Sequence, residues 1–207
     1  MRISKGTKIA LFTILLLVID QVIKILVKTN MTLGQSIHVF GDWFQILFVE
    51  NMGMAFGMSF GGYVGKFVLT LFRSCLGIAI IFYIKKLLKR EDVPTGVLYG
   101  RAAIMCGAFG NIVDSLVYGV VFDASTPTQV ATFLPAGGGY AAPFFGKVVD
   151  MFYFPLIDTT WPQWVPIVGG RHFVFFNAIF NFADSCITCG AFYLILFQWR
   201  FFSGKKD

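Results

Sequence analysis

Apolar residues run almost unbroken through four stretches of the chain, approximately 9–27, 63–84, 97–117 and 177–199, and lysines and arginines gather at their ends. A bilayer core about 30 Å thick takes about 20 apolar residues as helix, so this pattern predicts four transmembrane helices. Two segments between them read differently. Residues 29–62 contain "IHVFGDWFQILFVEN", where β-branched and aromatic residues between glycines predict a small extracytoplasmic β element lying at the membrane surface. Residues 118–171 contain "TPTQVATFLPAGGGYAAPFFG" and "DTTWPQWVPIVGG", whose Pro, Gly and Trp content predicts an interfacial loop with aromatic anchors. No internal repeat is visible, and 1–207 reads as a single membrane-embedded domain.

Composition agrees with this pattern. Hydrophobic residues make up 57% of the chain and charged residues 14%, against about 25% charged in soluble proteins, which defines an α-helical polytopic membrane protein. The net charge of +6 would suggest nucleic acid in a soluble chain, but the cations here flank apolar spans. No nucleic-acid partner is implied. Arg2, Lys5 and Lys8 precede the first span; Lys85, Lys86, Lys89, Arg90 and Arg101 surround the link between the second and third; Arg200, Lys205 and Lys206 follow the fourth. The positive-inside rule makes all three clusters cytoplasmic, with both termini inside. The first span is read as a retained helix, since no small-x-small cleavage site follows it and Asp20 and Lys24 interrupt it.

Those interruptions are informative, because an ionised side chain at mid-bilayer costs at least about 2.5 kcal/mol. At about 1.5 Å per helical residue, Asp20 and Lys24 in the first span, Asn111 and Asp114 in the third, and Asn177, Asn181 and Asp184 in the fourth all reach the outer half of the membrane. Spacings of i,i+3, i,i+4 and i,i+7 put each set on one helix face. One polar site near the outer leaflet is expected, and Asp150 in "GKVVDMFYF" can reach it from the loop side.

Several chemistries fall away. With His38 and His172 the only histidines and no HExxH, zinc catalysis lacks ligands, and no metal or cofactor is expected. "GMSFG" at 57–61 has the letters of a nucleophile elbow without its strand–turn–helix context and reads as a glycine turn. Cys186 and Cys189 form C-x-x-C at lipid depth and read as small packing residues. Paired aspartates remain: two close carboxylates share a proton, so one activates water while the other protonates the carbonyl or the leaving amine. Asp150 and Asp184 are the expected pair, since one closes the loop and the other opens the following helix.

The ordered fragments "DQVIK", "ENMGMAFG", "GAFGNIVDS", "VVDMF" and "FNFADSCIT" resemble those of the lipoprotein signal peptidases, the type II signal peptidase family, and span Asp20 to Thr188. The resemblance implies an aspartic endopeptidase of the bacterial cytoplasmic (inner) membrane. Its substrate would be a lipid-modified prolipoprotein, cut before the diacylglyceryl-modified cysteine. It implies Asp150 and Asp184 as the catalytic dyad, with Asn51, Asn111, Asp114 and Asn181 as polar residues of the site and Asp20 and Lys24 as the first-helix motif. For Asp20 and Lys24, a structural ion pair and a substrate contact both stand. Membrane lipids are the other partners, and a monomer is expected.

Two departures from the family pattern stand out. The family usually has Arg directly after the aspartate of G-N-x-x-D, where this chain has Ser115, and 123–147 reads as an insertion that alters a rim or lid over the site. Arg73, near the middle of the second span, has two readings: it replaces the missing charge by pairing with Asp114 or another inward carboxylate, or it snorkels and packs. The rival function is a small ion- or proton-coupled transporter, whose expected discontinuous helices and repeated halves are not seen in the sequence. A non-catalytic scaffold would not need carboxylates converging at one depth.

Overall fold

A computed structural model describes residues 3–52 and 62–203. The glycine-flanked segment 57–61, most of "ENMGMAFG", and Lys205 and Lys206 lie outside them. The chain forms α1 (Lys5–Asn30), β1 (Ser36–Phe40), β2 (Phe44–Asn51), α2 (Gly62–Leu88) and α3 (Thr95–Val113). A π turn, Asp114–Tyr118, and the single turn α4 (Gly119–Val121) prolong α3. Then come β3 (Val148–Tyr153), β4 (Ile157–Thr160), β5 (His172–Phe175), β6 (Ile179–Phe180), α5 (Phe182–Phe197) and α6 (Trp199–Ser203).

Three helical segments, Lys5–Asn30, Gly62–Leu88 and Thr95–Val121, are long and apolar enough to cross a membrane, and Phe182–Phe197 is a shorter apolar helix. The predicted span 177–199 therefore begins too early. Ile179 and Phe180 pair with Tyr153 and Phe152 as strand, and the helix starts only after Asn181. Asn177 thus lies off the helix face on which its spacing placed it, and its side chain accepts a hydrogen bond from the Tyr153 hydroxyl at 3.0 Å.

The helices are apolar outward. On α1, Leu11, Ile14, Leu15 and Val18 are each more than half exposed, while Asp20, Lys24 and Lys28 on the same helix are fully buried. This inversion suits lipid as solvent, where side-chain packing and polar contacts between helices hold the bundle together. One end is closed by a core of Ile9, Leu87, Val93, Val97, Leu98, Ala102 and Leu194, beside the exposed Lys85, Lys86 and Lys89. Arg101 lies at the same end, its guanidinium 4.5 Å from the Tyr83 ring centre.

The other end carries a four-stranded antiparallel sheet in the order β1-β2-β3-β6. The first outside segment supplies two of its strands, as its composition predicts. The segment 118–171, expected as loop, supplies the third. "VVDMFY" is β-branched and aromatic, and its Pro- and Gly-rich neighbours hide it from a composition reading. The same segment also supplies β4, which pairs with β5 as a separate two-stranded ribbon. A second core of Val27, Met31, Phe48, Tyr118, Phe122, Val149 and Met151 packs the sheet onto the end of α1 and the end of α3.

Candidate active site

The sheet delivers the first aspartate. Asp150 lies in the middle of β3 opposite Val49 of β2, so Asn51, two residues along β2, donates from Nδ2 to Asp150 Oδ2 at 3.0 Å. The helix delivers the second. β6 runs straight into Asn181, the N-cap of α5, and Asp184 is the N3 residue of a capping box. Asn181 Oδ1 accepts from the Asp184 amide at 2.9 Å, while Asp184 Oδ2 accepts from the Asn181 amide at 3.2 Å. A side chain that would ordinarily only start a helix here also orients a carboxylate.

Two side-chain amides join the carboxylates. Asn181 Nδ2 donates to Asp150 Oδ1 at 2.7 Å and to Asn111 Oδ1 at 3.0 Å, and Asn111 Nδ2 donates to Asp184 Oδ1 at 2.9 Å. The result is a continuous chain from Asn51 through Asp150, Asn181 and Asn111 to Asp184. Burial, opposed by the hydrogen bond from Asn51 and reinforced by the nearby charge of Asp184, pushes the Asp150 carboxyl up to about 7. An Asp of that pKa keeps a proton near neutrality, as a general acid needs.

Beneath this chain lies a fully buried charge cluster. Lys24 Nζ lies 2.8 Å from Asp114 Oδ2, 3.0 Å from Asp20 Oδ2 and 2.9 Å from Asn111 Oδ1. Asp20 Oδ1 also accepts the Ala183 amide at 2.8 Å, which places a carboxylate at the positive end of α5. Asp114 Oδ2 accepts the Val149 amide of β3 at 3.3 Å. Asp20, Lys24 and Asp114 therefore tie α1, α3, α5 and β3 together. Gly107 and Gly110 allow the helices this close: a Cβ on Gly107 would lie 2.2 Å from the Ala183 carbonyl oxygen, and one on Gly110 2.5 Å from Asp20 Oδ2.

The site residues expected from the sequence thus converge, apart from Asn177 and Arg73. Asp114 is occupied by Lys24, Gln21 and the Val149 amide, so the Arg73–Asp114 pair, one of the two readings of Arg73, does not form. Arg73 makes no ion pair among the described residues, and the carboxylates whose fields reach it are Asp184 and Asp150. Sequence reasoning missed Gln21, whose Nε2 donates to Asp114 Oδ1 at 3.1 Å and to Asp20 Oδ2 at 3.0 Å and whose Oε1 accepts the Tyr118 hydroxyl at 3.1 Å. Its signal was a neutral polar residue beside Asp20 in an apolar helix.

A second missed cluster anchors residues 123–147. Glu50, next to Asn51, is bonded by Lys28, Ser125 and Lys147, with Ser125 donating at 3.0 Å and Lys147 at 3.1 Å. The Tyr140 hydroxyl accepts the Lys147 amide at 2.7 Å, and Phe144 and Phe145 pack against Phe67 of α2. Residues 123–147 are therefore fastened to β2 and α2. Among the described residues no group of three or more His, Cys, Asp or Glu is placed to hold a metal ion. Cys186 is buried and Cys189 exposed, both as free thiols.

Comparison with known proteins places this arrangement. Residues 12–200 match the family model described as signal peptidase (SPase) II. A lipoprotein signal peptidase of Porphyromonas gingivalis is 49% identical over 209 residues, covering 99% of this chain and 90% of that protein. One from Amoebophilus asiaticus is 37% identical, covering 88% of this chain and 74% of that protein. Among solved structures, a bacterial membrane enzyme determined by the in meso method at 2.3 Å resembles the fold with a TM-score of 0.59 at 22% identity, over 97% of this chain and 92% of that one. Another, at 1.9 Å, gives 0.55 at 21% identity over 91% and 90%.

Proposed function

The chain belongs to the signal peptidase II family, and on that premise we propose that it removes the signal peptide from diacylglyceryl-modified bacterial prolipoproteins as an aspartic endopeptidase. Asp150 and Asp184 are its catalytic pair. The observation that carries this reading is the Asn181–Asn111 amide bridge, which holds one carboxyl from a strand and one from a helix start in a single hydrogen-bonded chain.

Asp150, with its carboxyl pushed up to about 7, keeps the shared proton. Asp184, the base of the pair, takes a proton from water as the oxygen attacks the scissile carbonyl carbon, and Asp150 gives its proton to the carbonyl oxygen. The resulting gem-diol collapses when Asp184 passes its proton to the leaving nitrogen. Asp150 then recovers a proton from one hydroxyl, so both carboxyls end as they began. Neither step forms a bond between enzyme and peptide.

α1, α2, the α3–α4 segment and α5 are the four spans. The basic end faces the cytoplasm, with both termini there, and the sheet and the dyad lie near the outer leaflet of the cytoplasmic membrane. Substrate acyl chains lie against the apolar helix surfaces, where each buried CH₂ contributes about 0.8 kcal/mol. The purified protein should release the signal peptide from a diacylglyceryl-modified precursor, detected by mass spectrometry as a cut directly before the modified cysteine. Equal cleavage of the unlipidated precursor, or no cleavage of either, contradicts the reading.

A further inference from the structure

α2 turns a stripe of Lys66, Thr70, Arg73 and Gly77 toward the protein, at the i, i+4, i+7 and i+11 positions of one helix face. Lys66 and Thr70 are each 2% exposed. The Lys66 ammonium donates to Ser115 Oγ at 2.9 Å, and Ser115 donates to the Asn111 carbonyl oxygen at 3.0 Å. Asn111 is the residue whose side chain holds Asp184. Lys66 is thus two hydrogen bonds from a residue of the dyad bridge, and among the described residues it makes no ion pair.

An ammonium buried near the end of a span without a carboxylate partner is costly to keep, and such groups face the bundle interior and mark where a ligand passes. Its charge is offset at a distance. The Asp20–Lys24–Asp114 cluster has two carboxylates for one ammonium, and the field of Asp114 reaches Lys66 against the like charge of Arg73 on the same helix face. Its hydrogen bonds are not used up, because Ser115 takes only one N–H of the ammonium. The position matters too. Where the family pattern carries an arginine, this chain has Ser115, and the positive charge arrives from α2 instead.

We propose that Lys66, tethered by Ser115, is a substrate-binding cation of this site that donates to a carbonyl oxygen of the lipid-modified precursor. The proposal rests on the peptidase reading above. A neutral acceptor is what the local charge balance favours, because Lys24, Lys66 and Arg73 already stand against Asp20, Asp114 and a dyad that shares one proton, and an added anion would find no cation left to itself. The precursor offers carbonyls from two sources near the cut: its peptide backbone and the ester groups of its diacylglyceryl chain.

The test is the steady-state cleavage of a diester-linked precursor and of its ether-linked analogue, which keeps the alkyl chains and lacks the ester carbonyls, by the full-length protein and its variants. Lys66→Met should lower kcat/KM on the diester substrate at least tenfold, and Lys66→Arg should stay within about threefold of the parent protein, since it keeps a donor cation. An equal loss by Lys66→Met on both substrates assigns the contact to the backbone. A loss confined to the diester substrate assigns it to an ester. An unchanged kcat/KM for Lys66→Met, or equal impairment in Lys66→Arg, overturns the proposal. If Lys66→Met does not fold, Ser115→Ala removes the tether and keeps the charge. It should raise KM on the diester substrate several-fold, and an unchanged KM overturns the proposal equally. Failure of the parent protein to cleave either substrate would instead refute the peptidase reading.

Discussion

At the scale of single residues, Asn181 does the most with the fewest atoms. Its side-chain oxygen caps α5 while its nitrogen reaches both Asp150 and Asn111, so the start of the helix and the orientation of the dyad depend on one rotamer. Asn51 acts on Asp150 in the opposite sense to burial: its hydrogen bond favours the ionised carboxylate and draws the pKa down from where burial alone would put it. Asp150 must hold a proton to act as the acid, so kcat should fall as pH rises through about 7. Asn51→Ala removes a stabiliser of the charged form, so this alkaline limb should move to higher pH in a pH–rate profile while the maximal rate drops. A limb that moves to lower pH would assign the titration to another group.

Among elements, the contact of α3 with α5 sets the geometry of the site, because Asn111 and Asp184 lie on either side of it. Gly107 faces the Ala183 carbonyl at a separation no side chain tolerates. Gly107→Val should therefore push α5 away, at a cost of about 1–3 kcal/mol of overpacking. A lower thermal midpoint in detergent together with a loss of activity of at least tenfold is expected; a variant with unchanged midpoint and rate would show that the two helices need not meet there. How much of this was legible in the sequence depended on distance along the chain. Asp20 with Lys24 and Asn181 with Asp184 announce themselves as polar pairs at helical spacing in apolar surroundings. The true start of α5 did not, because "FFNAIFNFAD" is apolar through strand, turn and helix alike, and only the cap at Asn181 separates them. Glu50 meets Lys28 and Lys147 across separations of 22 and 97 residues, which no local pattern encodes. Lys66 lies near the start of a span, where a lone lysine reads as a snorkelling interfacial residue. Arg73, nearer the span's centre, is the costlier of the two by depth, yet Lys66 is the α2 cation that reaches Ser115.

As a whole, the molecule stores its polarity at one end. Apolar helix faces point outward, a basic end gathers the tips of four helices, and the opposite end holds an antiparallel sheet over a buried network of three aspartates, a lysine and two asparagines. Asp184 joins that network from the N-terminus of α5, half-buried where Asp150 is 4% exposed. The sheet supplies one member of the proposed catalytic pair as well as covering the helices, since β3 carries Asp150 and the β2 register brings Asn51 to it. That a strand and a helix start together form one proton-sharing pair is the central claim. It is tested most directly by measuring cleavage of a diacylglyceryl-modified precursor by Asp150→Asn and Asp184→Asn, each purified as a folded membrane protein with the parent's thermal midpoint. Each amide variant is expected to lose cleavage by at least about a thousandfold, because an amide can neither take the proton from water, as Asp184 does, nor give one to the carbonyl oxygen, as Asp150 does; turnover within tenfold of the parent by either variant would contradict this.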